Sequence, residues 1–273
     1  MKRNFGVIII FLLAACGSGH DKNTSTDIEN TANPAPLTIP YRVVNIYPHD
    51  SSTYTEGLEW HDSSLYESGG DPDYKGKSKL VRTDLKTGKV LQKLGLSSAY
   101  FGEGITLLDG KIYQMTYKEQ KCFVYDAKTF QLLKTFTYSG EGWGMTNDGK
   151  EIIMDDGSNH LFYRNPQNFA VTRTVDVVDN YGPVANINEL EYVNGFIYAN
   201  IYESNTIIKI DPTTGRVVGK MDLTGIREKN GVPSDPEMMD DGYVLNGIAY
   251  DSVKNSFYVT GKDWPVIFEL KLN

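Results

Sequence analysis

From residue 41 onward the chain is written in short runs of Val, Ile, Tyr, Phe and Thr, separated by Gly, Asp and Asn. Alternating apolar and polar positions between turn residues predict strands and hairpins, and no segment sustains a helical period. One unit recurs. It opens T-E-G-L-E (55–59), G-E-G-I-T (102–106), G-W-G-M-T (142–146), N-E-L-E-Y (188–192) and N-G-I-A-Y (246–250). Taking Gly57, Gly104, Gly144, Leu190 and Gly247 as equivalent, the spacings are 47, 40, 46 and 57 residues. These lie near the ~40–50 residues of a four-stranded propeller blade.

A second motif follows inside the units: D-L-K-T-G-K-V (84–90) and D-P-T-T-G-R-V (211–217), with weaker copies D-A-K-T-F (126–130) and N-P-Q-N-F (165–169). Asp or Asn starts such a turn by bonding its own backbone, and Gly supplies a positive φ, so this is the hairpin between a blade's third and fourth strands. The fifth unit holds three strands, at 247–251, 256–261 and 266–272, while residues 41–47 form a spare strand at the other end. Adding the spare strand to the last blade closes the ring and removes exposed edges. The expected fold is therefore all-β: a single five-bladed β-propeller over residues 41–273, closed by its N-terminal strand. The longest interval contains an expected loop at 225–242.

Composition adjusts this picture. The 273 residues would divide into roughly two domains by length alone, but all-β folds of about 200–250 residues often form one. A hydrophobic content of 40% and an aromatic content of 12% supply a core. A formal charge of −8 argues against a nucleic-acid partner, which requires a basic surface. At the N-terminus, Lys2 and Arg3 precede an apolar run at 5–15 that is too short to span a bilayer. It ends in L-A-A-C-G (13–17), which resembles a bacterial lipobox. The expectation is a signal peptide at 1–15, lipidation at Cys16, and a disordered tether at 16–40 rich in Ser, Thr, Asn, Asp and Pro. This would place the protein in the cell envelope, touching a membrane through the lipid alone. Loss of Lys2 and Arg3 takes the net charge from −8 to −10. Cys122, in the alternating run K-C-F-V-Y (121–125), reads as a small strand residue with no nearby His to activate it.

The repeat openings are unusually polar: Glu56, Glu103, Glu141, Asn188, Glu189 and Asn246. In a propeller these positions converge at one end of the central channel. An acidic pocket is expected there, walled by aromatic candidates Tyr54, Tyr117, Trp143, Tyr202 and Trp264. Trp143 sits between Gly142 and Gly144, which suggests close backbone approach. Lys262 lies in the constrained turn T-G-K-D-W-P (260–265). The four histidines, His20, His49, His61 and His160, have no paired metal-ligand spacing, and neither a phosphate loop nor a nucleophile elbow is present.

Together these residues resemble the plant-type glutaminyl cyclases, a family with bacterial members. The matching runs are Y-T-E-G-L (54–58), F-G-E-G-I-T-L-L (101–108), E-G-W-G-M-T-N-D-G (141–149), M-D-D-G-S (154–158), N-E-L-E-Y-V-N-G (188–195), L-N-G-I-A-Y-D (245–251) and T-G-K-D-W-P (260–265). The resemblance implies a five-bladed propeller that converts an N-terminal glutamine of a peptide or protein into pyroglutamate, releasing ammonia. It implies Glu103 as acid/base, with Asn188 and Lys262 polarising the substrate amide. Substrate-binding residues would be Glu56, Tyr54, Trp143, Tyr117, Tyr202, Glu189 and Trp264. No metal or other cofactor is required by this scheme, and a monomer is expected. The family often has Gln where this chain has Glu56, and Trp where it has Tyr117 and Tyr202. The alternatives are a non-catalytic propeller that binds peptide or protein, and a propeller glycosidase using paired carboxylates.

Overall fold

The computed structural model describes residues 34–233 and 244–272. The expected signal peptide, Cys16, most of the expected tether and the second half of the expected 225–242 loop lie outside the described residues. β1 (Leu37–Thr38) and β2 (Tyr41–Pro48) come first. Five sheets then follow one another around an axis. Blade 1 comprises β3 (Tyr54–His61), β4 (Ser64–Gly70), β5 (Lys79–Thr83) and β6 (Val90–Gly95). Blade 2 comprises β7 (Gly102–Leu108), β8 (Lys111–Thr116), β9 (Lys121–Asp126) and β10 (Leu132–Thr137). Blade 3 comprises β11 (Met145–Asn147), β12 (Ile152–Met154), β13 (His160–Arg164) and β14 (Val171–Asp176). Blade 4 comprises β15 (Ile187–Val193), β16 (Phe196–Ile201), β17 (Thr206–Ile210) and β18 (Val217–Asp222). Blade 5 comprises β19 (Leu245–Asp251), β20 (Ser256–Gly261) and β21 (Val266–Leu272), and β2 completes it by pairing antiparallel with β21. The expected closure is thus observed. The long loop carries a one-turn helix, α1 (Ile226–Lys229).

One boundary differs from expectation. Leu37 and Thr38, assigned from sequence to the tether, pair parallel with Gly219 and Lys220 as a fifth strand of blade 4. Gly219 leaves the space that the Ile39 side chain fills. Two residues are too few to display a strand period, so the pattern could not reveal them.

The blades pack face to face, and the hydrophobic core is divided accordingly. Five buried clusters each draw on two neighbouring blades: Leu80 with Ile105, Met115 with Met145, Leu161 with Leu190, Ile207 with Phe257, and Leu58 with Tyr258. Cys122 is buried in the second of these pairings, where burial pushes its thiol pKa up and leaves it inert. The hairpin turns follow the motif. Asp84, Asp126, Asn165 and Asp211 each accept a backbone N–H two or three residues on. The positive φ falls on Gly88 and Gly215 in two blades, but on Phe130 and Phe169 in the other two. Both phenylalanines are buried, and packing between blades offsets their backbone strain.

Innermost strands meet at the axis without pairing with each other, so their edge N–H groups need other acceptors. Side chains from neighbouring blades supply them. Glu59 accepts Leu107 N–H at 2.8 Å, Thr146 accepts Tyr192 N–H at 3.0 Å, and Glu191 accepts Tyr250 N–H at 2.9 Å. Glu189 spans blades 1 and 5 together, accepting Leu58 N–H at 2.9 Å and Ile248 N–H at 2.7 Å. The glycines beside these positions permit the approach. A Cβ on Gly57 would lie 2.6 Å from Ile105 N, and one on Gly104 2.6 Å from Met145 N.

Two predictions follow from the axis. Gly57→Ala should lower stability by about 1–3 kcal/mol in urea unfolding. Gly95→Ala, where a Cβ would meet nothing within 4 Å, should stay within about 0.5 kcal/mol of wild type. The second concerns pH. Burial pushes Glu59 up to about 8, and burial plus mutual repulsion pushes Glu189 and Glu191 well above the usual carboxylate range. Carboxyls raised in the folded state take up protons on folding, so their ionisation costs stability as pH climbs through the folded pKa. The urea midpoint should therefore be higher at pH 5.5 than at pH 8. A midpoint that rises with pH would contradict the assignment.

Candidate active site

The repeat openings are bulges. In blade 1, Thr55 faces Gly69 while Gly57 faces Ser68, leaving Glu56 as the extra residue. In blade 2, Glu103 and Gly104 fall between the paired positions Gly102 and Ile105; in blade 4, Asn188 and Glu189 fall between Ile187 and Leu190; in blade 5, Asn246 and Gly247 fall between Leu245 and Ile248. In blade 3, Trp143 N–H bonds to the carbonyl of Asp155, and Asp155 N–H to that of Gly144. A bulge interrupts the ladder and re-aims a side chain. Repeated around the ring, it turns Glu56, Glu103, Trp143 and Asn188 into one cavity of ≈ 320 Å³ at the channel mouth, within the ~300–1,000 Å³ of small-ligand pockets.

Eight of the ten catalytic and substrate-binding residues named from the sequence line this cavity: Tyr54, Glu56, Glu103, Tyr117, Trp143, Asn188, Tyr202 and Lys262. The other two are placed elsewhere. Glu189 follows Asn188 but points down the channel, with both oxygens committed to the backbone N–H groups of Leu58 and Ile248. It is a strut between blades. Trp264 is buried in the core between blades 4 and 5, edge-on to Phe268 at 6.2 Å. Asp263 takes a positive φ of 56°, and this reversal sends Lys262 to the cavity and Trp264 to the core.

Three lining residues were not anticipated: Pro72, Tyr74 and Phe101. Phe101 is the hub of the aromatic wall, with ring centroids 6.3 Å from Tyr54, 5.9 Å from Tyr74 and 5.8 Å from Tyr117. Its position beside the G-E-G run was the one available signal. Tyr74 stands on a non-repeating loop of blade 1 with φ 52°, and its hydroxyl donates to Glu119 at 3.2 Å. On the opposite wall, Trp143 meets Tyr202 edge-on at 5.6 Å and donates its indole N–H to Glu141 at 3.1 Å. Gly144 is needed here, because a Cβ would lie 2.0 Å from the Asn188 carbonyl oxygen.

The cavity floor is charged. Lys262 Nζ donates to Glu56 Oε1 at 2.6 Å, with both side chains buried. Asn246 Nδ2 reaches Glu56 Oε2 at 3.3 Å, so both oxygens of Glu56 are already engaged. The ammonium also lies 4.4 Å from the Tyr54 ring centre and 5.1 Å from that of Tyr202, within cation–π range. Burial alone would lower the Lys262 pKa; Glu56, Tyr54 and Glu103 overcome this and hold it above the ordinary value. Burial, then the neighbouring Glu56, pushes Glu103 well above the carboxylate range, with Lys262 pulling it part of the way back. Glu103 makes no side-chain hydrogen bond among the described residues, and Asn188 Oδ1 is buried without a partner. Below Trp143, Asp155 is fully buried with Oδ2 unpartnered, and burial raises its pKa well above normal. The site thus combines a buried ion pair, a carboxyl with a raised pKa, and an amide with an unused acceptor, all behind aromatic walls. Among the described residues, no cluster of three or more His, Cys, Asp or Glu side chains could hold a metal ion.

Comparisons with known proteins agree with this arrangement. The model of the glutamine cyclotransferase family matches residues 10–272. The chain is 34% identical over 269 residues to a glutaminyl-peptide cyclotransferase of Arabidopsis thaliana, covering 98% of this chain and 80% of that protein. It superimposes on the crystal structure of Myxococcus xanthus glutaminyl cyclase with a TM-score of 0.78 and 34% identity, covering 87% of this chain and 98% of that one. A match over nearly the whole chain, on a propeller whose repeat bulges build one charged cavity, shows that this protein belongs to the glutamine cyclotransferase family.

Proposed function

We propose that this cavity catalyses glutaminyl-peptide cyclotransfer through Glu103, Asn188 and Lys262. The enzyme converts the N-terminal glutamine of a peptide or protein to pyroglutamate. The α-amine nitrogen attacks the γ-carboxamide carbon, the ring C–N bond forms, the bond to the amide nitrogen breaks, and ammonia leaves. One proton must pass from the attacking nitrogen to the departing one. The observation that carries the assignment is the convergence of a raised, unbonded carboxyl, a held ammonium and an unpartnered amide in one aromatic-walled cavity.

The roles follow from the chemistry. Much of an N-terminal amine is protonated at neutral pH, its pKa being about 7.7–8.0. A carboxyl whose pKa lies above the ordinary carboxylate range is a better base for that proton than a free carboxylate, and once protonated it can serve the leaving nitrogen as an acid. Glu103 has that character. Lys262 spends one N–H on Glu56 and keeps two to meet the negative charge that grows on the amide oxygen, and the Asn188 amide adds a further polar contact. Glu56 has both oxygens in use, so it serves as counterion to Lys262, and recognition of the substrate ammonium falls to Glu103 and the faces of Trp143, Tyr202, Tyr54 and Tyr117. Because the nucleophile is tethered to its target, holding the ring-closing rotamer supplies much of the acceleration.

We also propose that residues 1–15 are a signal peptide and that lipidated Cys16 anchors the enzyme in the cell envelope. The support is the L-A-A-C-G run (13–17) after a short apolar segment.

On a Gln-initiated peptide, followed by loss of one ammonia in mass, Glu103→Gln should lower kcat by about 10²–10⁴-fold while the far-UV spectrum stays that of a folded propeller. Asn188→Ala should cost about 10²–10³-fold. The wild type should keep its rate after chelator treatment, since every proton and charge moves through side chains. Near-wild-type turnover by Glu103→Gln would refute the assignment. For the anchor, the full chain expressed in a bacterium should fractionate with membranes and incorporate a fatty-acid label, and Cys16→Ser should abolish the label.

A further inference from the structure

Behind the Glu56–Lys262 pair lies a second buried charge pair that the cyclisation chemistry does not use. His49, in the link between β2 and β3, is buried with Nε2 2.8 Å from Glu67 Oε1 and Nδ1 2.6 Å from the Trp264 carbonyl oxygen. A carbonyl oxygen only accepts, and Glu67 Oε1 already receives the Thr55 hydroxyl at 2.7 Å. With Glu67 ionised, two ring nitrogens facing two acceptors require two N–H groups, which is the imidazolium.

Its partners lie next to the Glu56–Lys262 pair in sequence. Thr55, held by Glu67, precedes Glu56; Trp264, held by His49, is two residues beyond Lys262. The backbone reinforces the same junction, with His49 N–H donating to Pro265 O at 2.9 Å and Asp263 N–H to Thr53 O at 2.9 Å. The turn between them contains Asp263 at φ 56°, a conformation that persists only where surrounding contacts over-determine it. We propose that His49 is a positioning residue: as an imidazolium clamped between Glu67 and the Trp264 carbonyl, it holds the turn bearing Lys262 against the strand bearing Glu56 and so makes turnover sensitive to alkaline pH.

The groups facing His49 are Glu67 from β4, Asp50 from its own segment, Lys79 from β5, which pairs with Asp50 at 3.0 Å, and Asp263 from the turn. Burial disfavours the charged ring, but Glu67, the Trp264 carbonyl and Asp50 together raise its pKa. The clamp is therefore intact below the folded-state pKa and opens as pH rises through it, when one ring lone pair comes to face an acceptor. This inference rests on the role given above to Lys262.

The test joins a titration to kinetics. With four histidines in the chain, the His49 ring resonance in the folded wild type is identified by its loss in His49→Gln. It should titrate above the ordinary histidine value of about 6.5. The alkaline limb of kcat on a Gln-initiated peptide should follow that titration. In Glu67→Gln, titration and limb should move together to lower pH. In His49→Gln, the limb should vanish and kcat should fall roughly tenfold to a hundredfold, with KM changed less. Titration at or below the ordinary value overturns the proposal; if His49→Gln does not fold, through-bond correlation of the ring to the His49 backbone assigns the resonance in the wild type, which then suffices for that measurement. Variant pH profiles that superimpose on wild type, with only a lower Tm, also overturn it. If wild type showed no turnover, the assignment of the cavity would fail, while the titration would still decide the protonation of the clamp.

Discussion

Five innermost strands have to converge on one axis without hydrogen-bonding to each other, and much of this molecule follows from that constraint. Each such strand presents an edge of unpaired N–H groups to the channel, where an unmade bond costs about 1–3 kcal/mol. Carboxylates and hydroxyls reaching across from other blades satisfy Leu107, Tyr192, Tyr250, Leu58 and Ile248. Glycines at 57, 104 and 144 let the backbones approach where any Cβ would collide. The bulges at the same positions turn the adjoining side chains out of the ladder and toward the mouth. The active site is therefore a product of the way the ring closes.

The electrostatics carry the same signature. Glu56, Glu59, Glu103, Asp155, Glu189 and Glu191 all have pKa values raised first by burial. Burying charge is expensive, and apolar substitutes are often at least as stable. The channel carboxylates are retained because backbone donors require them. The mouth carboxylates have a different justification. Lys262 can remain an ammonium in a buried site because Glu56 stands 2.6 Å away, and Glu103 is raised first by burial and then further by that same neighbour.

The resting arrangement also assigns Glu56 more narrowly than its motif suggests. With Lys262 on one oxygen and Asn246 on the other, it has little left to offer an incoming ammonium. Its carboxylate holds Lys262 at the cavity floor, and Phe101 plays the comparable part on the apolar side, in ring contact with Tyr54, Tyr74 and Tyr117.

The repeat was legible in the sequence because one short motif does two jobs: its glycine permits blade contact and its polar neighbour points into the mouth. Blade number and the cavity residues Glu56, Glu103, Trp143 and Asn188 could be read from that motif, while the hairpin motif, the spare N-terminal strand and the family resemblance supplied the turns, the closure and the other four. Direction at a bulge could not. Asn188 and Glu189 are adjacent in one motif, yet one faces the cavity and the other the channel, because strand alternation is suspended where the extra residue is inserted. Trp264 was misread for a related reason: the positive φ of Asp263 reverses the chain between it and Lys262. Phe130 and Phe169 occupy turn positions where the motif has glycine, because buried packing between blades offsets the strain. Tyr74 and the short strand β1 lie outside the repeat and carry no period. Sequence thus determined the unit and its chemistry. Tertiary structure alone decided where each side chain points, because those directions are set by contacts between blades far apart in the chain.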